Sequence, residues 1–390
     1  MEGKGKIGVY VRWLGIYFFF LIVTGLGIGA VGSLLRMFAA VPIVIWLFTC
    51  HKFETNKMVV TTFIFILCCF ATLFWSIDFN QTISRVSSHL MFFILLISTF
   101  GYSYSNEEIS YLKKMLVNSS RLSALVLLAT GTYGEGRLML SGIITEDANY
   151  LCAYFMFAVT NAVDTVLASD MKISQKLLSA AEILIYIYVI FSTGSRGGMF
   201  AVAAVIIADI FIFREDNSSR GTLVRKIVIS VLILVFAYFA TSLLPQNVAE
   251  RFTVQAIKES DGTGRYGLWE SAANAFAQSN LGRKMFGYGA GSVRRVTYLF
   301  PFTRHNVLHN VFLENVLEIG LIGTVSYLAH ISSFWITAIQ KKSSFCMSIL
   351  IGMLVLSFST SIYTFKPYWN VMLFTACCWK NIALSDSQIQ

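Results

Sequence analysis

Long apolar runs alternate with short polar segments along most of this chain. A helix that crosses a bilayer needs about 20 mostly apolar residues, and twelve runs approach that length. The predicted spans cover residues 13–32, 35–50, 58–77, 86–102, 114–131, 148–167, 177–193, 198–213, 224–243, 309–338, 345–363 and 368–383. The pattern therefore predicts an all-α, polytopic membrane bundle of about 12 transmembrane helices. Its parts are residues 1–243 with about nine spans, an external loop at 244–306, and residues 307–390 with about three spans.

The composition agrees with a membrane protein and excludes several other classes. Apolar residues make up 56% of the chain and charged residues 13%, whereas about a quarter of a soluble domain is charged. So little polar surface cannot cover a soluble core of this size, and the composition also excludes a disordered chain. The seven cysteines lie in or at the ends of apolar runs without metal-ligand spacing, so a disulfide framework is not expected.

The distribution of charge predicts the orientation. The net charge is +9, but the charged residues lie mainly between apolar runs, so we expect no nucleic-acid partner. Lys4, Lys6 and Arg12 precede a first run that is long for a signal peptide and lacks a clear cleavage site, which indicates an uncleaved span. With the N-terminus in the cytoplasm, most lysines and arginines outside the long loop fall on the cytoplasmic side, as the positive-inside rule requires.

The segment 244–306 is the one long loop, and this orientation places it outside. It carries eight basic and four acidic residues, so a cationic surface that attracts an anionic ligand is expected. Trp269, Ala273 and Phe276 recur at helical spacing, which predicts an amphipathic helix from about Arg265 to Ser279. The external loop is therefore expected to contain short helices.

The first candidate site is the turn between spans seven and eight, Thr193-Gly194-Ser195-Arg196-Gly197-Gly198. Ser195 is a residue type that caps helix N-termini. Arg196 would then stand in the first turn, where a positive charge opposes the helix dipole by about 0.3 to 1 kcal/mol. This arrangement makes sense if an anion binds the free amide groups. The simpler alternative is an arginine that extends to the membrane surface from a glycine turn.

The second candidate site is Asp261-Gly262-Thr263-Gly264-Arg265, at the predicted start of the amphipathic loop helix. Arg265 would again oppose the dipole at a helix start, and the glycines would let a ligand approach the backbone. Arginines at two helix N-termini suit a diphosphate. The alternative is a surface cation on a loop.

The third candidate site precedes or opens span ten. Its polar residues are Arg304, His305, Asn306, His309 and Asn310. A helix N-terminus disfavours imidazolium, so His309 is expected to stay neutral, as a general base must near pH 7. Glu314 and Glu318 continue the helical spacing from Asn310 as a polar stripe that can face the bundle interior. The alternative is a histidine that only caps the helix. His305 and His309 could form a metal pair, but no carboxylate lies at a fitting spacing, so no metal is expected.

Together these motifs resemble the bacterial O-antigen ligase and O-antigen polymerase superfamily of multi-pass glycosyltransferases. The resemblance covers roughly residues 190 to 325, and the first 180 residues match only as hydrophobic helices. The matching residues are Ser192 to Gly198, Gly264-Arg265 followed by Trp269, Gly287-Tyr288-Gly289, and His309-Asn310-Val311-Phe312-Leu313 with Glu318, Gly320 and Gly323.

The resemblance implies a location in the bacterial cytoplasmic membrane and transfer of a glycan from an undecaprenyl-diphosphate carrier to an acceptor sugar hydroxyl, with inversion and without a metal or other cofactor. By position, Arg196 and Arg265 would hold the diphosphate and His309 would activate the acceptor. Ser195, Arg304, His305, Asn310 and Glu314 are candidate supporting residues. His305 makes a second His-Asn pair, and the spacing to Leu313, Glu318 and Gly320 favours His309. A flippase and a chain-length regulator are expected partners, besides the glycan substrates and the bilayer.

Three alternatives stay open. Polymerase is preferred over ligase because such chains occur in every capsule and O-antigen pathway, whereas ligases need a lipid A core. A transporter or lipid-linked oligosaccharide flippase would have its sites near the midplane, with broken helices in both halves. A scaffold in a polysaccharide assembly complex would need none of the candidate residues for chemistry.

Overall fold

The computed structural model describes residues 7–25, 29–49, 54–134, 137–140, 148–168, 170–213, 220–253, 255, 261–302, 304–361 and 366–381. Lys4 and Lys6, which support the predicted orientation, lie outside the described residues. The fold within these ranges is almost entirely helical.

The helices before the long loop are α1 (Val9–Gly25), α2 (Gly29–Thr49), α3 (Lys57–Ala71), α4 (Phe79–Phe100), α5 (Asn106–Thr130), α6 (Ala148–Leu167), α7 (Ile173–Ser192), α8 (Arg196–Ile207) and α9 (Arg220–Ser242). The loop contains α10 (Gln246–Ala249), α11 (Asp261–Gln278), α12 (Leu281–Phe286) and α13 (Val293–Val296). After it come α14 (Val311–Glu318), α15 (Gly320–Gln340), α16 (Ser344–Ser357) and α17 (Lys366–Trp379). The expectation of short helices in the long loop is confirmed.

Five helical segments of the described chain are long and apolar enough to cross a membrane. They are Lys57–Phe74, Phe79–Phe100, Ala148–Leu167, Ile173–Ser192 and Gly320–Gln340. Shorter apolar helices cover Val9–Phe20, Phe38–Thr49, Lys226–Ser242 and Ser344–Ser357. These segments indicate a multi-pass membrane protein, and the count of about twelve spans stays a prediction.

Helix α6 lies at the centre of the bundle. Within an 18-residue stretch of this helix 72% of the residues are buried, and the helix packs against α5, α7, α8 and α16. Apart from Asn149, Asn161 and Asp164 its sequence is mostly apolar, as is typical of a helix in the core of a large bundle or of a membrane span. Ala153, Ala158 and Ala162 are fully buried on it, because small residues let neighbouring helices approach closely. The candidate functional site packs against this helix.

Polar caps determine where several helices begin. The side chains of Asn56, Asp78, Ser195 and Asn310 each accept a backbone N–H bond from the first turn that follows. Ser105 and Glu108 form a reciprocal capping box before α5. Each cap satisfies amides that the helix itself leaves without partners. The predicted N-cap role of Ser195 is therefore confirmed.

The predicted span 309–338 is wrong as one continuous helix. The helix begins at Val311, ends at Glu318 and restarts at Gly320. Gly320 has a positive φ of 68°, and a β-carbon there would lie 2.4 Å from the backbone carbonyl of Met285. Only glycine accepts both conditions without strain. The break therefore arises because the C-terminal end of α12 packs directly against this point.

The all-α prediction misses one β-hairpin. Strands β1 (Gly131–Gly134) and β2 (Arg137–Leu140) pair antiparallel after α5, with Gly131 opposite Leu140 and Gly134 opposite Arg137. Glycines at two of these positions and the short length hide the strands from a hydropathy pattern. The hairpin matters because it lies beside the end of α7, next to the first candidate site.

Candidate functional site

The first turn of α8 carries Arg196 as its first residue, as the sequence predicts. Ser195 accepts a hydrogen bond from the Gly198 amide at 2.9 Å and donates its hydroxyl to Asn149 Oδ1 at 2.6 Å. Asn149 is buried near the start of α6. The N-cap is therefore itself anchored to the central helix, which fixes the direction in which α8 begins.

The absence of a side chain at Gly197 allows three segments to meet at this turn. A β-carbon there would lie 2.5 Å from Ser359 Oγ and 2.9 Å from Asn149 Oδ1. Real β-carbons do not approach other atoms this closely, so Gly197 is required for the contact. Ser359 follows α16 and is buried. The arginine turn thus contacts both α6 and the turn after α16.

The backbone of His309 is in the left-handed region, with φ of 53°. A non-glycine residue adopts this conformation at an energetic cost unless its surroundings hold it there. His309 directly precedes Asn310, which caps α14 by accepting bonds from the Phe312 and Leu313 amides. The prediction that this histidine lies at a helix start is confirmed.

Glu314 holds the turn that carries His309. Its Oε1 accepts the backbone amides of Leu308 at 2.8 Å and His309 at 3.1 Å, and the Ser361 hydroxyl at 2.7 Å. The side chain is 1% exposed. Burial and the neighbouring Glu318 carboxylate raise the pKa of Glu314 to about 7, against the opposing effects of the Ser361 hydrogen bond and the Arg85 charge. The predicted inward-facing acidic stripe is therefore present, with Glu318 equally buried.

The arginine turn and the histidine turn meet through residues 359–361. Ser359 contacts Gly197 on one side, while Ser361 donates to the carboxylate that holds His309 on the other. The two sequence-predicted sites, more than a hundred residues apart in the chain, are thus joined through one short buried turn. We call residues 359–361 the serine turn.

Arg265 lies in a different place on its helix from the one predicted. Helix α11 begins at Asp261, so Arg265 is its fifth residue and does not stand at the N-terminus. Glycine costs about 1 kcal/mol relative to alanine inside a helix, but packing of the buried Leu268, Ala272 and Ala275 extends α11 through Gly262 and Gly264. Arg265 is half-buried, whereas the predicted apolar position Ala273 is exposed.

Helix α11 nevertheless contacts the histidine turn. The indole Nε1 of Trp269 donates to the Leu308 carbonyl at 2.9 Å. Arg265 precedes Trp269 by one helical turn and so shares its face. The structure therefore connects the second predicted site to the third through Trp269.

His305 and Arg304 lie outside this group of contacts. His305 stacks on Tyr298 with ring centroids 4.1 Å apart, and its Nδ1 lies 3.0 Å from the Thr297 carbonyl. Because a carbonyl can only accept, Nδ1 carries the proton. His305 is thus held against α13 and the residues after it, and both His305 and Arg304 are exposed.

The segment between α12 and α13 packs on the far end of α14. The amides of Tyr288 and Gly289 donate to the carbonyls of Leu317 and Glu318, each at 2.8 Å. Glu318 Oε1 accepts the Val293 amide at 3.1 Å. Two buried glutamates thus tie loop segments to the two ends of α14.

Two open cavities, of about 370 and 170 Å³, flank the edge-to-face ring pair Trp75 and Phe286. The smaller one is lined by apolar residues of α3 and α15, including Leu67 and Ile322, and by Ile319 between α14 and α15. Both lie at the end of α14 opposite His309. They are therefore separate from the contacts that surround the arginine and histidine turns.

Sequence analysis missed Asn149, Ser359 and Ser361. Single buried polar residues of this kind occur in most helical bundles, so their types carry no signal. In the described part of the chain, no group of three or more histidine, cysteine, aspartate or glutamate side chains could hold a metal ion.

A family model described as O-antigen ligase matches residues 182–328. The matched segment includes Arg196, Arg265 and His309, and it nearly coincides with the region of resemblance found in the sequence. The comparison thus confirms that resemblance. No curated protein matches the chain significantly.

Proposed function

We propose that this chain, whose residues 182–328 match a family model described as O-antigen ligase, transfers a glycan from an undecaprenyl-diphosphate carrier to an acceptor sugar hydroxyl. The family-model match and the long apolar helices together indicate a glycosyltransferase-like enzyme in a membrane. The proposed location is the bacterial cytoplasmic membrane, with the N-terminus in the cytoplasm and the loop 244–306 outside. The proposed partners are the lipid-linked donor and the acceptor glycan.

Arg196 and Arg265 bind the diphosphate in this proposal. When the anomeric carbon–phosphate oxygen bond breaks, its electron pair leaves with the diphosphate, and negative charge grows on that group. Guanidinium groups and the free amides at the start of α8 stabilise such charge when they are held in place beforehand. The Ser195 cap, anchored to Asn149, supports this role for Arg196 because it fixes the first turn of α8.

His309 acts as the general base. Its imidazole takes the proton of the acceptor hydroxyl while that oxygen forms the new bond to the anomeric carbon, from the face opposite the diphosphate, so the configuration inverts. Asn310 and Glu314 position His309 through the cap and the backbone amides. His305 helps to hold the residues before His309 in place by stacking on Tyr298. The exposed Arg304 adds positive charge to the same residues.

The observation that carries the proposal is the serine turn. It contacts the arginine turn at Gly197 and the histidine turn through Glu314. Leaving-group stabilisation and base catalysis require that the arginines and the histidine lie on either side of one anomeric carbon. A shared buried turn gives both segments a common fixed support.

The test uses Arg196→Ala, Arg265→Ala and His309→Ala in membrane vesicles supplied with lipid-linked repeat units. Each variant is expected to insert normally and to lose transfer, by about 100-fold or more for His309, which is the usual contribution of a general base. Arg294→Ala, an exposed arginine of α13, is the matched control. Wild-type rates in the three variants would contradict the roles proposed for these residues. Absence of a glycosidic product with the wild-type chain would leave a scaffold or a flippase, and transport of the lipid-linked glycan would identify the flippase.

We favour repeat-unit polymerase, working with a flippase and a chain-length regulator. Ligase is the second candidate, because the matching family model carries that description. The product of the vesicle reaction distinguishes them. A ladder of repeat units on the same carrier identifies a polymerase, and glycan on a second lipid acceptor identifies a ligase.

A further inference from the structure

Two further arginines, Arg251 and Arg137, lie beside the arginine turn. Arg251 belongs to a short 3-10 turn, Glu250–Phe252, after α10. Its Nε donates to the Gly194 carbonyl at 3.3 Å. The next residue, Phe252, packs its ring against Phe191 of α7 with centroids 5.1 Å apart. Arg251 is therefore held against the turn that leads into Arg196 by a hydrogen bond and an adjacent ring contact.

The β-hairpin brings Arg137 to the same place. Arg137 is the first residue of β2 and pairs with Gly134. Tyr133 directly precedes Gly134, and its hydroxyl donates to Ser192 Oγ at 3.3 Å. Because Ser192 ends α7, two residues before Gly194, this bond places the closed end of the hairpin beside the arginine turn.

The positive charges of Arg137 and Arg196 both act on the guanidinium group of Arg251. Burial lowers the pKa of Arg251 from its usual value, and the charges of Arg137 and Arg196 lower it further. Arginine nevertheless stays charged near neutral pH. Convergent like charges destabilise a fold unless an anion compensates them, and three separate segments supply these charges.

We infer that Arg251 and Arg137 are further diphosphate-binding residues that complete, with Arg196, a three-arginine site. The inference rests on the proposed function and deepens it. A diphosphate carries several negative oxygens, and guanidinium groups bind phosphate oxygens in pairs. The bond to Gly194 uses one of five donors on Arg251, so the same side chain can hold the turn and bind a phosphate.

Binding to the full chain in lipid nanodiscs tests the inference, with undecaprenyl diphosphate as the probe and undecaprenol as the uncharged reference. Arg251→Ala and Arg137→Ala are each expected to weaken binding of the diphosphate by about 10-fold or more, the usual effect of losing a charged hydrogen-bond donor. Arg294→Ala, the matched control, is expected to bind within twofold of wild type. Binding of undecaprenol is expected to stay unchanged in all variants.

The outcomes separate this inference from the proposed function. If wild type binds the diphosphate more tightly than undecaprenol, but Arg251→Ala and Arg137→Ala bind it as well as wild type, the inference is wrong and the proposed function stands. If wild type does not discriminate between the two lipids, the proposed function itself fails. His309→Ala is expected to bind normally without transferring glycan. If Arg251→Ala unfolds, Arg137→Ala and the charge-conserving variant Arg251→Lys decide the question. The affinity of Arg251→Lys for the diphosphate is expected to lie between those of wild type and Arg137→Ala.

Discussion

His309 shows how much of a site depends on contacts that no local pattern contains. Its left-handed backbone is held by a carboxylate five residues later, and that carboxylate is held in turn by Ser361. The caps Ser195 and Asn310 could be predicted, because cap preferences are local. The partner of Ser195, Asn149, could not, because it depends on how α6 and α8 pack.

Replacement of Gly197 by alanine is expected to disrupt the arginine turn. The new β-carbon would lie within 3 Å of both Ser359 Oγ and Asn149 Oδ1, and overpacking of a buried site usually costs about 1–3 kcal/mol. We expect a lower thermal midpoint in detergent and a clear loss of glycan transfer. Gly282→Ala is the matched control, since its β-carbon would meet Asn280 Oδ1 at an ordinary 3.4 Å. Equal effects of the two substitutions would contradict this account.

Glu314 is expected to make stability depend on pH. Its pKa in the folded protein is raised to about 7, so its protonated form stabilises the fold below the unfolded pKa, and that stabilisation disappears as the pH rises through about 7. Glu314→Gln cannot titrate. The difference in thermal midpoint between this variant and wild type, taken as variant minus wild type, should therefore increase from pH 5 to pH 8. A constant difference over that range would show that Glu314 does not titrate there.

At the scale of elements, the sequence predicts most helices and misplaces some of their ends. The apolar pattern locates α6 and α7 well, because their apolar length matches the helix. It places Arg265 at a helix start, although α11 begins four residues earlier. It also joins α14 to α15, because the break at Gly320 depends on contact with Met285. Element ends depend on tertiary contacts more than element centres do.

The contact between α11 and the histidine turn predicts a selective effect of Trp269→Phe. The change keeps an aromatic ring but removes the donor to the Leu308 carbonyl, a bond of about 0.5–1.5 kcal/mol. Glycan transfer should fall several-fold with little change in thermal stability. Tyr266→Phe is a suitable control, because Tyr266 is exposed and contacts Trp269 edge-on through its ring. Transfer at the wild-type rate in Trp269→Phe would contradict a positioning role for α11.

At the scale of the whole molecule, sequence predicts the class of fold better than its span count. Composition alone indicates a membrane bundle, and the charge pattern adds an orientation. The number of spans depends on short helices such as α8, which extends into a π-helical turn at Ala208–Ile212. A hydropathy window cannot decide whether such a helix crosses the bilayer.

The predicted orientation can be tested by cysteine labelling. Leu281 and Ile173 are 76% and 72% exposed, and they lie in the long loop and at the predicted cytoplasmic start of α7. In spheroplasts, Leu281→Cys should react with a membrane-impermeant maleimide, whereas Ile173→Cys should react only after permeabilisation. The wild-type protein is the control for labelling of the native cysteines, most of which are buried in the described chain. The reverse pattern would place the loop in the cytoplasm.

The serine turn and Asn149 lie outside the segment 182–328, yet both support the turns within it. A chimera that grafts only this segment from one relative into another would exchange Arg196 and His309 but keep the recipient's residues beneath them. Swaps between polysaccharide systems should therefore succeed only when the start of α6 and the end of α16 travel with the graft.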